Sequence, residues 1–315
     1  MEVEAMDKSA VAAVIVTYNR LEKLKTVLEH LESQSHPLSY IVLVNNASTD
    51  GTREYLESYI SERERLDGPQ FELMNLPQNI GGAGGFSAGM KRAYELGCDY
   101  VWISDDDGYP EQAALEKLLD GYHAAVAELG LDVPFACSVV KFTDGSICEM
   151  NNPVTAWDWG RLIVKGQNSV LVTSCSFVSV LVPRWVLEDF GLPYKEYFIW
   201  FDDAEYTRRL SKGCPGVQVL DSVVVHDMGE NKGVNFGQIN EGNAWKFAYG
   251  VRNEASYRLH HEGRASYLMF CRTVLLQMKE GGVSPELKKK MKKQLKEAIK
   301  FNPKREYPQS LVDAR

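Results

Sequence analysis

Residues 99–108 read DYVWISDDDG, an apolar run that ends in three consecutive carboxylates, Asp105, Asp106 and Asp107. The run is flanked by two stretches of helical spacing, SAGMKRAYELG (87–97) and PEQAALEKLLDGYHAAVAEL (110–129, with Pro110 in the first turn), so it reads as one strand of a helix-covered sheet. Acids at the carboxyl end of such a strand stand where ligands bind. Adjacent like charges raise one another's pKa unless water, a cation or a basic partner compensates, so the triplet demands a compensator.

Working upstream, VAAVIVTY (11–18), YIVLVNN (40–46) and FELMNL (71–76) read as further strands, with LEKLKTVLEHLESQ (21–34) as a helix after the first. The order βαβαβαβ predicts an α/β domain with a mostly parallel, Rossmann-like sheet. Downstream, KFTDGSICEM carries Asp144-Gly145 as a hairpin turn, which points to an antiparallel extension. The uncharged span 169–183 is β-branched and serine-bearing, a pattern of buried strand and not of a membrane helix. FDDAEYTRRLSKG (201–213) reads as a helix entered through acids, VQVLDSVVVHD (217–227) as a strand, and MGENKGVNFGQ (228–238) as a glycine-rich loop. Residues 1–240 are expected to form this α/β domain, and 241–315 a helical region ending in a basic helix.

With 315 residues and 44% apolar side chains the chain is long enough for a well-buried core, and its net charge of −8 disfavours nucleic acid as a partner. Six scattered cysteines form no CxxC pair, which suits free thiols in a reducing compartment such as the cytoplasm. The start MEVEAMDK carries two glutamates and lacks the basic flank of a signal peptide.

Four groups of residues could carry chemistry. On extended chain Asp105 and Asp107 share one side and Asp106 faces the other, so two hard oxygen ligands can serve one Mg²⁺ or Mn²⁺; the plainer reading is a solvated acidic turn before a helix. NIGGAGGFSAG (79–89) reads as a loop with close backbone approach and exposed N–H groups at a helix start, suited to a diphosphate or sugar, or as a purely structural glycine turn. It fits neither GxGxxG nor a Walker loop, which disfavours an NAD-dependent oxidoreductase. Asp202 and Asp203 precede a helix and could cap it, with Glu205 and Arg209 as an ordinary i,i+4 pair, but a second acid beside Trp200 and Phe201 could be a general base. His226, at a strand end, is either structural or completes a metal site.

Together VIVTYNR, VNNASTDGT, NIGGAGGFSAGM, WISDDDG, WFDDAEYTRR, VVVHD and RNEASYRL resemble, in order, the family-2 glycosyltransferases of GT-A fold. GGAGGF with DDDG is most similar to the bacterial galactofuranosyltransferases and, less well, to rhamnosyltransferases using dTDP-rhamnose. The resemblance implies that Thr17, Tyr18 and Arg20 lie by the nucleotide and Asn45 and Asn46 by the uracil, Asn45 standing where many members have Asp. It further implies that Gly81, Gly82, Ala83, Gly84 and Gly85 line the sugar diphosphate, with Asp105 and Asp106 on the nucleotide sugar. Asp105, Asp107 and His226 would hold Mn²⁺ or Mg²⁺, Asp203 would be the catalytic base, and Trp200 and Asp202 would meet the acceptor. The expected activity is inverting transfer of galactofuranose from UDP-galactofuranose to a lipid-linked glycan in cell-surface polysaccharide synthesis; the competing reading is a non-catalytic sugar-nucleotide-binding subunit. Leu287, Met291, Leu295 and Ile299 recur every fourth residue on the lysine-rich helix 285–300, which reads either as an interfacial anchor for an anionic membrane at the inner face of the cell membrane or as a helix docked on its own domain.

Overall fold

The computed structural model describes residues 9–63 and 67–309. The acidic start that argues against a signal peptide, residues 1–8, lies outside them. The sheet is organised around strand β1, Val11–Thr17, buried at every position. Val11, Ala13 and Ile15 enter one core, and Ala12, Val14 and Val16 the other. A strand apolar on both faces needs a cover on each. Helices α1 (Leu21–Glu32) and α2 (Thr52–Arg63) supply one, and α3 (Gly81–Glu95) the other. Strands β2 (Tyr40–Asn45), β3 (Gln70–Asn75) and β4 (Tyr100–Asp105) complete a parallel β3-β2-β1-β4 half-sheet.

The second half begins with β5 (Gly108–Pro110), helix α4 (Ala114–Leu129) and β6 (Ala136–Phe142). It continues through β7 (Val154–Thr155), α5 (Arg161–Val164), β8 (Ser169–Ser174), β9 (Val180–Pro183), α6 (Arg184–Phe190), α7 (Asp202–Leu210) and β10 (Gly216–His226). It extends the sheet as β9-β6-β10-β8-β7, with β9 antiparallel to β4 and β8 antiparallel to β10. The uncharged span is thus two buried strands, and its Ser179 accepts a hydrogen bond from the Trp102 indole at 2.9 Å. Among the described residues no helix is long and apolar enough to cross a membrane. All six cysteines are free. Gly145 turns the hairpin with φ of +85°, but its second arm is a single bridge, Lys141 to Ile147.

Two local expectations are corrected. Pro110 ends strand β5 and does not open a helix, because Gly108–Pro110 pairs with β10 and α4 starts only at Ala114. The glycine segment 81–89 is helix, not loop. Its glycines let α3 approach the sheet: a Cβ at Gly85 would fall inside the Val16 side chain, and one at Gly89 inside Val14. The expected i,i+4 pair of Glu205 and Arg209 is present and buried, with Arg209 Nε on Glu205 Oε1 at 2.9 Å and Nη2 on Oε2 at 3.1 Å. Arg209 also donates to the Phe190 and Leu192 carbonyls, tying α7 to the end of α6. Of the two readings of the basic helix, the structure takes the docked one. Helices α8 (Ala244–Tyr257), α9 (Arg264–Glu280) and α10 (Pro285–Glu297) form a third core, and Leu287, Met291 and Leu295 of α10 are buried in it; only Ile299 of the stripe is exposed.

Between α6 and α7 the chain is strained. Phe198, Trp200 and Phe201 hold φ of +65°, +67° and +69°, a region that costs about 1–3 kcal/mol per non-glycine residue. Asn253 of α8, fully buried, compensates: its Nδ2 donates to the carbonyls of Tyr197 (2.9 Å), Ile199 (3.2 Å) and Trp200 (2.8 Å). On the other side Ala83 N–H donates to the Phe198 carbonyl at 3.1 Å, and Gly81 is so close to Phe198 that no Cβ would fit. Helices on both sides therefore fix the segment that leads into α7.

Arg209→Leu should lower stability in urea unfolding by about 3–5 kcal/mol, as an uncompensated buried carboxylate is left behind, whereas Arg209→Leu with Glu205→Leu should lose much less. Asn253→Ala, which removes a donor from the carbonyls of Tyr197, Ile199 and Trp200, should lower it by about 1–3 kcal/mol in the same assay.

Candidate active site

Thr17, Asn45, Asp105 and His226 are the last residues of β1, β2, β4 and β10, so four strand ends open on one cleft. The pairing of β5 with β10 sets Gly108 opposite His226 and swings the acid triplet against the imidazole. Asp227 N–H closes the junction on the Asp107 carbonyl at 2.9 Å. The ligand atoms of Asp105, Asp107 and His226 lie within 4.8 Å of one another. His226 Nε2 is 3.1 Å from Asp107 Oδ1, and its Nδ1 meets Asn151 Oδ1 at 2.8 Å. Asn151 can only accept there, so it keeps the proton on Nδ1 and leaves Nε2 directed at the carboxylates, the tautomer a metal-ligating histidine needs. Two carboxylates and an imidazole suit a divalent cation of the Mn²⁺ or Mg²⁺ type, so these residues fit one.

Asp106 is not part of that group: β4 ends at Asp105, and Asp106 and Asp107 form a turn before β5. Arg20 bridges the two, with Nη1 donating to Asp106 Oδ1 at 3.0 Å and to Asp107 Oδ2 at 2.7 Å. Lys23 stands 3.7 Å from the same Asp107 oxygen. Part of the compensation is therefore internal. It is incomplete: burial and the charge of Asp107 push Asp105 up to about 6, and burial, against the attraction of Arg20, pushes Asp106 up to about 6. Asp107 goes the other way, since its bond to His226 and the Arg20 charge outweigh burial and hold it below the usual carboxylate value. Burial pulls His226 down, but the Asp107 bond and the Asp105 charge overcome it and raise the imidazole.

Around this centre the other candidates take distinct places. The buried Thr17 hydroxyl lies beside Asp106 but is not aligned for a bond, which leaves an unpartnered polar atom at the end of β1; Tyr18, next in line, is exposed. Asn45 Nδ2 donates to Asn75 Oδ1 at 2.8 Å and its Oδ1 accepts from Ser48 N–H. Asn46, buried, accepts from Ile80 N–H at 2.9 Å and donates to the Gly81 carbonyl at 3.0 Å, so its amide shapes the start of α3. Gly81, Ala83, Gly84 and Gly85 are buried in the first turns of that helix, and Gly82 alone has room for a side chain.

Asp202 and Asp203 are the first two residues of α7, and neither caps it through a side-chain bond from outside the helix. Asp203 Oδ1 accepts from Ala204 N–H at 2.7 Å. Burial raises Asp203 against these backbone bonds, and burial together with the charge of Asp203 raises Asp202 well above the carboxylate range. The charge of Asp203 helps to raise Asp105, and the charge of Asp105 helps to raise Asp202, so the three acids act on one another. Trp200 is half-buried, edge-on to Phe247 with ring centroids 4.6 Å apart and pressed against Gly250, so much of its face packs on α8.

Sequence reasoning passed over Asn151, Lys23 and Asn253. Nothing local marks Asn151 or Lys23. Asn253 stands inside RNEASYRL, yet its role depends on contact with residues more than fifty positions earlier.

Residues 12–146 match the family model described as glycosyl transferase family 2. Over 246 residues the chain is 33% identical to galactofuranosyltransferase GlfT1 of Mycolicibacterium smegmatis, a match covering 70% of this chain and 72% of that protein. Among solved structures, TarS of S. aureus superposes with a TM-score of 0.59 at 16% identity, over 94% of this chain but only 49% of TarS. GalNAc-T7, solved with UDP, GalNAc and Mn²⁺, gives 0.59 at 14% identity, over 92% of this chain and 55% of its own. At such identities the structures speak for the fold, which is GT-A. A third of the residues shared across nearly three quarters of a curated relative speaks for descent: the chain is a glycosyltransferase and belongs to glycosyl transferase family 2.

Proposed function

We propose that this glycosyltransferase is inverting and metal-dependent, and that it moves galactofuranose from UDP-galactofuranose to a lipid-linked glycan acceptor in the synthesis of a surface polysaccharide. One observation carries the chemistry: Asp105, Asp107 and His226 converge at the strand ends, and Asp203, at the start of α7, is near enough for its charge to act on Asp105. The donor sugar is supported by the name of the relative at 33% identity, and a UDP carrier with Mn²⁺ by GalNAc-T7. A cytoplasmic site at the inner face of the membrane follows from a lipid-linked acceptor.

In this reading Asp105, Asp107 and His226 hold the divalent cation, which when bound supplies Lewis-acid stabilisation of the diphosphate leaving group. Arg20 and Lys23 hold Asp107 in place and add positive potential beside the same phosphates. The first turn of α3 flanks the donor, with Gly82 as the position open to it. Asp203 takes the proton from an acceptor hydroxyl as that oxygen attacks the anomeric carbon from the face opposite the nucleotide. Its raised pKa makes it a better base than a solvated carboxylate. Asp202, buried beside it, is placed to meet the acceptor.

Asp203→Asn should leave UDP binding intact and lower turnover about 10²- to 10⁴-fold. The base works only when ionised, so turnover should fall as pH drops, with a midpoint above the ordinary aspartate value of about 3.9. A pH–rate profile of the wild type that stays flat down to that value would remove Asp203 from the role. Asp107→Asn should sharply raise the Mn²⁺ concentration needed for half-maximal activity, and Asp106→Asn should instead weaken nucleotide binding, both read from metal and UDP titrations. A panel of UDP- and dTDP-sugars tests the donor, with hydrolysis of UDP-galactofuranose expected and a preference for dTDP-rhamnose overturning the assignment.

A further inference from the structure

Helix α9 is apolar on two opposite sides, and among the described residues only one of them is covered. Phe270, Val274 and Met278 recur along one face and are buried in the core shared with α8 and α10. On the other face Leu268, Met269, Leu275 and Leu276 are exposed, Met269 to 71% and Leu268 to 63%. Lone exposed leucines are ordinary on a protein surface, but a helix hydrophobic all round is normally covered all round. Four large apolar side chains within nine residues, on one side of one helix, form a patch.

The charges around the patch say what covers it. Arg272 and Lys279 lie on the same outward face by helical spacing, exposed between the apolar residues, and Arg264 opens the helix; its one acid is Glu280, the last residue. Helix α10 is its neighbour, joined by the Tyr267 hydroxyl donating to the Leu295 carbonyl at 2.9 Å. Because α10 buries its apolar stripe, it offers solvent only its charged side, with Lys289, Lys290, Lys292, Lys293 and Lys296 exposed. From Arg264 to Lys300 the chain has ten Lys or Arg against three Glu. A second copy docked symmetrically would set these cations against themselves. An anionic lipid surface complements them.

We infer that the outward face of α9 docks flat on an anionic bilayer, with Leu268, Met269, Leu275 and Leu276 entering the headgroup boundary and the lysines of α10 supplying the electrostatic attraction. The apolar anchor is thus α9 and not α10. The surface does not depend on which sugar is transferred.

The test is co-sedimentation of the full chain with vesicles of phosphatidylcholine alone or mixed with phosphatidylglycerol, at low and high salt, with light scattering for oligomeric state. The wild type should bind the mixed vesicles at low salt and release at high salt. Leu268→Glu with Leu275→Glu should weaken binding by about tenfold or more, as two of four apolar anchors are lost. Turnover on a soluble acceptor and the thermal midpoint should not change. Lys289→Glu with Lys293→Glu should weaken binding and flatten its salt dependence. Binding by the leucine variant equal to the wild type overturns the inference, as does a wild type that ignores anionic vesicles. A wild-type dimer that the leucine variant converts to monomer would make a second copy the occupant and overturn it equally.

Discussion

Five carboxylates compete for one cleft, and most of the architecture around it can be understood as a response to their repulsion. Arg20 and Lys23 form ion pairs with Asp106 and Asp107, but among the described residues no lysine or arginine pairs with Asp105, Asp202 or Asp203. Such a group cannot be fully ionised in a partly buried site at neutral pH without a further positive charge. The unequal pKa directions express this: Asp107 is held low by its partners, while Asp105, Asp202 and Asp203 ride high. The acids thus lack positive charge at the place proposed for the cation and the base, and the strained 198–201 segment and the buried Arg209 fix the helix that carries Asp202 and Asp203.

Much of this was legible in the sequence because it rests on short-range regularities. The apolar run of β1 implied cover on both faces, and the acids at the end of β4 implied a ligand position, since both follow from periods of two and a few residues. The alternation expected within DDDG does not apply, because β4 stops at Asp105 and a turn carries Asp106 and Asp107. Pro110 misled because its partner strand lies more than a hundred residues away. The glycines of 81–89 misled for a related reason: glycine signals either a loop or close packing, and only the facing valines of β1 show which. Asn151 and Asn253 were invisible, as a lone amide acquires meaning only from the atoms the fold brings to it. The lysine-rich helix showed its stripe plainly, but a stripe does not say whether its cover is lipid or protein.

The same distinction separates motif from scaffold. Every motif from Thr17 to His226 lies ahead of residue 240, while the groups that hold the base-bearing helix come from behind it. Asn253 grips the Tyr197, Ile199 and Trp200 carbonyls, and the Glu306 carbonyl accepts the Leu192 N–H at 2.8 Å.

That arrangement has a consequence for how the molecule comes into being. A chain emerging from the ribosome exposes its N-terminal elements first, and the parallel half-sheet with the acid triplet can gather early. The strained 198–201 segment, however, lacks its Asn253 contacts until α8 emerges, and the backbone bond from Leu192 to Glu306 follows about fifty residues later still. Asp203 is therefore set in place last, so a nascent or interrupted chain can hold all of its acids and remain unable to act on a sugar nucleotide.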